Sequence, residues 1–145
     1  MSRVTIDAED VRASLSRQSF MELLDAKPVE ISAGRVVLEM AFRDDLCQQN
    51  GFLHAGVITS IADSACGYAA LSLMSPGSDV LSVEFKVNLL APAIGERFRA
   101  IGTVVRSGRT LTVCTGEVLA LRDDAPDTQV ALIQATMITR GPAAR

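Results

Sequence analysis

Between Gln48 and Met74 the sequence reads QQNGFLHAGVITSIADSACGYAALSLM, and Asp63 is the one formal charge between Asp45 and Asp79. Asn50-Gly51 gives the stretch a turn-like start, and Ser75-Pro76-Gly77 breaks it at the end. In between, the residues are small or apolar almost all the way round, the pattern of a helix buried on every side. A carboxylate inside such a helix is costly unless it is paired, protonated or used. Whatever else the chain builds must therefore wrap this helix and accommodate Asp63.

The flanking segments supply the wrapping. Ala8 to Leu24 reads as one helix with a loose stripe of Val11, Leu15, Phe20, Leu23 and Leu24, acids near its start, and Pro28 to stop it. Val29 to Ser32 and Arg35 to Phe42 read as a β-hairpin turned at Ala33-Gly34. After the long helix, Leu81, Val83, Phe85, Val87 and Leu89 alternate with Ser82, Glu84, Lys86 and Asn88, which predicts a strand with the first set on one face and the second on the other. Further strands are expected over about Glu96 to Arg106, Arg109 to Leu121 and Thr128 to Arg140, with Asp123 to Asp127 as an exposed loop and a frayed Gly141–Arg145 tail. The fold class is α+β: one long helix beside an antiparallel sheet of about six strands. The face of the sheet that the helix leaves uncovered is either solvated or packed on another copy.

The 145 residues suit a single domain, and a hydrophobic content of 48% leaves apolar material for both a core and a subunit interface. A net charge of −3 argues against nucleic acid as the main partner, because a phosphate backbone asks for a basic face. Cys47, Cys66 and Cys114 are far apart and odd in number, which reads as free thiols in a cytoplasmic protein. One histidine does not make a multi-histidine metal site, and no metal or resident cofactor is expected. The N-terminus lacks the apolar core of a signal peptide, and no apolar run is long enough for a membrane span.

His54 and Asp63 are nine residues apart. On one helix that spacing separates them by about 13 Å along the axis and turns them to opposite sides. If both serve one site, the helix start of one subunit meets the helix middle of another, which implies a homodimer. The helix start also offers the unpaired N–H groups of Ala55, Gly56 and Val57 to a developing oxyanion, and a carboxylate with such donors suits hydrolysis of an acyl bond. The same residues also fit a plainer reading, in which Thr59, Ser60, Asp63, Cys66 and Gly67 form a slightly polar stripe facing water and His54 is a structural hydrogen-bonder.

Gly51-Phe52-Leu53-His54-Ala55-Gly56, followed by Asp63 and Gly67, resembles the Gly-x-x-His-Gly-Gly…Asp signature of the hotdog-fold thioesterases, in particular the phenylacetyl-CoA thioesterase-like branch of the 4-hydroxybenzoyl-CoA thioesterase superfamily. Leu81 to Leu89 with Ala91-Pro92-Ala93 and Gly95-Glu96 is similar to that family's strand and its proline–glycine exit. Arg106-Ser107-Gly108-Arg109 is similar to its basic hairpin. The likeness covers roughly residues 18 to 140. It implies a hotdog fold acting as a homodimer or homotetramer that hydrolyses acyl-CoA, with CoA as part of the substrate. It places the catalytic carboxylate on Asp63, as general base or nucleophile, and the oxyanion donor on the Ala55 N–H. It also places the turn-holding histidine on His54, a water-orienting serine on Ser82, and an amide on Gln48 where the family often has Asn. Ala55 stands where the family usually has the first of two glycines. For the CoA phosphates it points to Arg106, Gly108 and Arg109, with Arg97 and Arg99 as weaker candidates. Phe52, Tyr68, Leu71, Leu73 and Met74 are available to line an alkyl or an aryl pocket. A non-catalytic acyl-CoA or acyl-carrier binding protein on the same fold is the alternative.

Overall fold

The chain enters through two short helices, where the sequence suggested one. In the computed structural model, which describes residues 4–141, α1 is Ala8–Ser16 and α2 is Ser19–Leu24. The break follows from the apolar phase. A helix carrying Val11 and Leu15 inward would next turn Gln18, Ser19 and Glu22 to the core. Breaking at Gln18, whose backbone is extended, lets Met21 and Leu24 in instead, and both are buried. Phe20 and Leu23, expected in the stripe, are 47% and 62% exposed. The segment ends at Asp25 in the left-handed region, φ 52°.

β1 (Lys27–Ser32) and β2 (Arg35–Ala41) form the expected hairpin. Pro28 lies inside β1 and does not stop a helix; the sheet tolerates it because β1 is an edge strand. A single 3-10 turn, Asp44–Leu46, leads into α3, Ala55–Leu71. Then come β3 (Asp79–Leu89), β4 (Arg97–Ser107), β5 (Leu111–Leu121) and β6 (Thr128–Arg140). The six strands form one antiparallel sheet in the order β1-β2-β4-β5-β6-β3. This is the hotdog architecture: the sheet curls around α3.

The core lies between α3 and the inner sheet face, with Ile58, Ile61, Ala65 and Ala69 against Val36, Leu38, Phe98, Val118 and Ile133. Where α3 crosses the middle strands, Gly102 and Gly116 face each other across β4 and β5. A Cβ on Gly102 would sit 2.4 Å from the backbone carbonyl of Ala65, so the helix can lie this close only over a bare backbone. The helix is not buried all round, as its composition had suggested. Thr59, Ser60, Asp63, Ser64 and Gly67 form a half-buried stripe at three- and four-residue spacing.

β3 differs from its expected alternation. Ser82 pairs with Met137 and Glu84 with Thr136, leaving Val83 as the extra residue of a β-bulge. Ser82 therefore shares the helix-facing side with Phe85, Val87 and Leu89, whose partners on β6 are Ala135, Ile133 and Ala131. Leu81, opposite Ile138, lies on the outer side.

Candidate active site

The bulge delivers Ser82 to Asp63. The Ser82 hydroxyl donates to Asp63 Oδ1 across 2.6 Å, and it also touches the thioether sulfur of Met137 at 3.4 Å. Asp63 is half-buried on α3 and lines a polar cavity of about 320 Å³. The same cavity is bordered by Asp79, Val80 and Ser82 at the start of β3, by Gly67 and Tyr68 on α3, and by Arg17 and Gln18 from the helix break. One carboxylate oxygen is held by Ser82, and the other is available to a water.

The start of α3 is built around His54, its N-cap. The ring Nδ1 accepts from the Gly56 N–H at 2.8 Å, so the neutral ring carries its proton on Nε2. The His54 N–H in turn donates to the Leu46 carbonyl at 2.9 Å and pins the loop. A Cβ on Gly56 would approach His54 Nδ1 to 2.9 Å, which explains glycine at this position. Of the candidate oxyanion donors, Gly56 is thus committed to the cap, and the Val57 N–H donates to the His54 carbonyl at 2.9 Å. The Ala55 N–H has no acceptor among the described residues. Gln48 accepts from the Asn50 N–H through its Oε1, which keeps its amide NH2 free of that turn. Gly51 closes the turn at φ 81°, a conformation that favours glycine.

Ala55 and Gln48 line a second cavity, about 410 Å³ and mostly apolar, with Phe52, Ile58, Leu89, Leu90 and Val130. It shares no lining residue with the Asp63 cavity. Within one protomer the structure therefore brings Ser82 to Asp63, and Gln48 to Ala55, but does not join the two sets. The two cavities sit at opposite ends of β3, one at Asp79–Ser82 and the other at Leu89. Leu71 and Met74, suggested as pocket residues, are buried in the core instead.

The arginine island divides. Arg97 and Arg99 both reach Glu39, at 3.4 and 2.9 Å, across β2 and β4. Arg106 and Arg109, on the β4–β5 hairpin, have no carboxylate within ion-pair distance among the described residues. Gly108 makes the hairpin possible, because a Cβ there would lie 2.6 Å from the Leu111 carbonyl oxygen. Among the described residues there is no cluster of three His, Cys, Asp or Glu side chains placed to hold a metal, and no helix long and apolar enough to cross a membrane.

Gln18 and Tyr68 border the Asp63 cavity, yet sequence reasoning gave Gln18 no role. The only signal for it was a polar pair, Gln18-Ser19, falling where the helical phase asked for apolar residues.

A curled sheet around one helix defines the hotdog fold, and here it carries a carboxylate at the helix middle and, at the helix start, an N–H with no acceptor among the described residues. Residues 50–125 match the thioesterase superfamily, and the chain belongs to that family. A thioesterase family protein from Silicibacter pomeroyi has a solved structure 47% identical to this chain, with a TM-score of 0.91, covering 93% of this chain and 98% of that one. The PaaI protein of the E. coli phenylacetic acid degradation operon shares the fold at 19% identity and a TM-score of 0.82, over 92% of each chain. A Saccharolobus solfataricus protein whose name assigns it provisionally to the esterases is 34% identical over 92 residues, which are 63% of this chain and 65% of that relative.

Proposed function

We propose that the protein is a thioester hydrolase acting on acyl-CoA, working as a homodimer whose two sites lie between subunits. The observation that carries this reading is the placement of the half-sites at opposite ends of β3. β3 is an edge strand of 11 residues, and Leu81, Val83, Phe85 and Leu89 on it are 44–55% exposed. A long apolar edge of this kind is a template for pairing. Antiparallel pairing of two β3 strands about a two-fold axis sets the start of one beside the end of the other. That brings Asp63 and Ser82 of one protomer to Ala55 and Gln48 of the partner subunit.

In the joined site, Asp63 Oδ2 takes a proton from water while Ser82 holds Oδ1. The water oxygen attacks the thioester carbonyl carbon, and the oxyanion is held by the helix-start N–H of Ala55. The C–S bond then breaks, the Asp63 carboxyl returns its proton to the thiolate, and free acid and CoA thiol leave. Gln48 offers its amide to the carbonyl side, and His54 keeps the helix start in shape. Arg106 and Arg109 are the cations left for the CoA phosphates, at the end of the sheet where β3 begins.

Free-thiol release from a panel of acyl-CoAs, with wild type beside Asp63→Asn, tests the reading. Loss of a general base lowers kcat by about 10²–10⁴-fold. Undiminished turnover in Asp63→Asn refutes the mechanism. Binding of CoA esters with no thiol release from wild type makes the chain a binding protein. Sedimentation of the same samples reads the oligomer, and a monomer refutes the shared site.

A further inference from the structure

The cavity beside Asp63 is more elaborate than hydrolysis alone requires. Its floor is Gly67, one helical turn beyond Asp63. A Cβ on Gly67 would meet nothing within 4 Å, so packing within the protomer does not demand glycine there. Glycine is also the poorest helix former apart from proline. The bare backbone keeps a slot open.

One wall of the slot is a fixed chain of polar groups. Tyr68 is only 6% exposed, and its phenol oxygen accepts from Gln18 Nε2 at 3.2 Å. The Gln18 amide is held the right way round by Ser64, whose hydroxyl donates to Oε1 at 3.3 Å. Ser14 Oγ lies 3.5 Å from the phenol oxygen, a long contact that leaves the phenol proton free for a better acceptor. Gln18 reaches this position because the helix breaks there, a break that the core dictated. The charges around the slot are Asp63, Asp79 and the exposed Arg17, whose Nη1 donates to the Ala13 carbonyl at 3.2 Å.

We propose that the slot over Gly67 receives the acyl group, and that Tyr68 and Gln18 select one that carries a neutral oxygen, a hydroxyl or keto group, over a plain alkyl chain. This rests on the thioester reading above and adds the substrate class. An oxygen substituent takes the phenol proton and the remaining amide N–H of Gln18. An alkyl chain strips water from both and replaces it with nothing. Two aspartates against the one arginine, Arg17, leave the cavity wall net negative, so a carboxylate-bearing acyl group is disfavoured. The five residue steps from Asp63 to Tyr68 span about 7.5 Å along the helix, which sets the reach from the carbonyl to the substituent.

The test compares hexanoyl-CoA, its terminal-hydroxyl analogue and the adipoyl monothioester. Wild type favours the hydroxyl ester in kcat/KM by at least about 10²-fold, short of the roughly 10⁴–10⁵-fold by which a fully enclosed site built for a substrate hydroxyl rejects the analogue lacking it. Tyr68→Phe, which removes one oxygen, and Gln18→Leu each reduce that preference to a few-fold, chiefly through KM. Gly67→Leu lowers kcat/KM for the six-carbon esters at least 10-fold more than for acetyl-CoA, with no fall in Tm. No preference in wild type, a preference for hexanoyl or adipoyl, or an unchanged preference in both polar variants overturns the proposal. So does loss of the dimer in Gly67→Leu, which makes the glycine a packing residue. Calorimetric binding of the three esters to Asp63→Asn reads the slot without turnover, so a failed hydrolysis reading and a failed slot are told apart.

Discussion

Replacing Gly102 by alanine adds one methyl group at the closest approach of sheet and helix. That methyl would stand 2.4 Å from the carbon and oxygen of Ala65 and 2.5 Å from the nitrogen of Cys66. All three are backbone atoms of α3, so no rotamer change relieves the overlap. Contact distance for such atoms is about 3.5 Å, and the helix must therefore back away by about 1 Å. Overpacking of this kind costs about 1–3 kcal/mol, and the absence of any soft neighbour puts Gly102→Ala at the upper end. At about 2.1 cal/mol/K per residue, a chain of this length unfolds with an entropy of about 0.3 kcal/mol/K, so about 3 kcal/mol lowers Tm by about 10 °C. Thermal unfolding followed by circular dichroism measures it. Gly116→Ala serves as the internal control. Its tightest contacts are the Ile101 carbonyl oxygen and the Ile133 side chain, both at 2.8 Å, and the Cys66 sulfur at 3.0 Å; these overlaps are shallower than those at Gly102 and two of the three are side chains that can yield, so its loss is smaller. A fall of under 2 °C for Gly102→Ala, or a larger fall for Gly116→Ala, would refute the close-approach argument.

Three other outcomes are expected. Ser82→Ala removes the 2.6 Å hydrogen bond to Asp63, and since a hydrogen bond to a charged group is worth about 1.5–3 kcal/mol it lowers the urea midpoint as well as lowering kcat for thiol release about 10-fold or more. His54→Ala deletes the N-cap of α3 and costs about 1 kcal/mol, read as a drop of about 3 °C in a thermal melt. Burial pushes the Cys114 thiol up from the ordinary 9.0 to about 12, and that of Cys66 upward as well. The unfolded chain therefore releases these protons first, so stability is full below pH 9 and is lost as pH rises toward about 12. Urea melts across that range show the decline, and Cys114→Ala makes it shallower.

The parts of the fold that were legible in the sequence are those where one local signal decides. β6 runs from Thr128 to Arg140 as expected, and α3 starts where His54 caps it. The α+β arrangement, a sheet wrapped on one helix, follows from one helix that must be covered and too little other helix to cover it, while the hotdog fold itself was implied by the family resemblance. What was not legible depends on tertiary choice. Whether the first seventeen residues of helical sequence stay continuous is settled by which of Phe20 and Met21 the core accepts. Pro28 looks like a helix stop until β1 is known to be an edge. In the site, Asp63 and His54 stood out as a lone charge and a lone imidazole in apolar surroundings. Gln18 is one polar residue among many, and only the folded chain carries it to Tyr68, fifty residues away.

The bulge at Val83 has a meaning for how this strand is read. Alternation treats a strand as a two-letter code in which odd and even positions face opposite ways, and the code here changes parity once, between Ser82 and Glu84. Removing Val83 would leave Ser82 still opposite Met137 and Glu84 still opposite Thr136, with the ladder now regular. The inserted residue is thus a frameshift in geometry. It puts Ser82 on the same inward side as Phe85, Val87 and Leu89, which unbroken alternation would have set opposite to it. Any two chains of this fold that differ by one residue here will look misaligned in hydrophobic pattern while keeping the same hydroxyl in the same place.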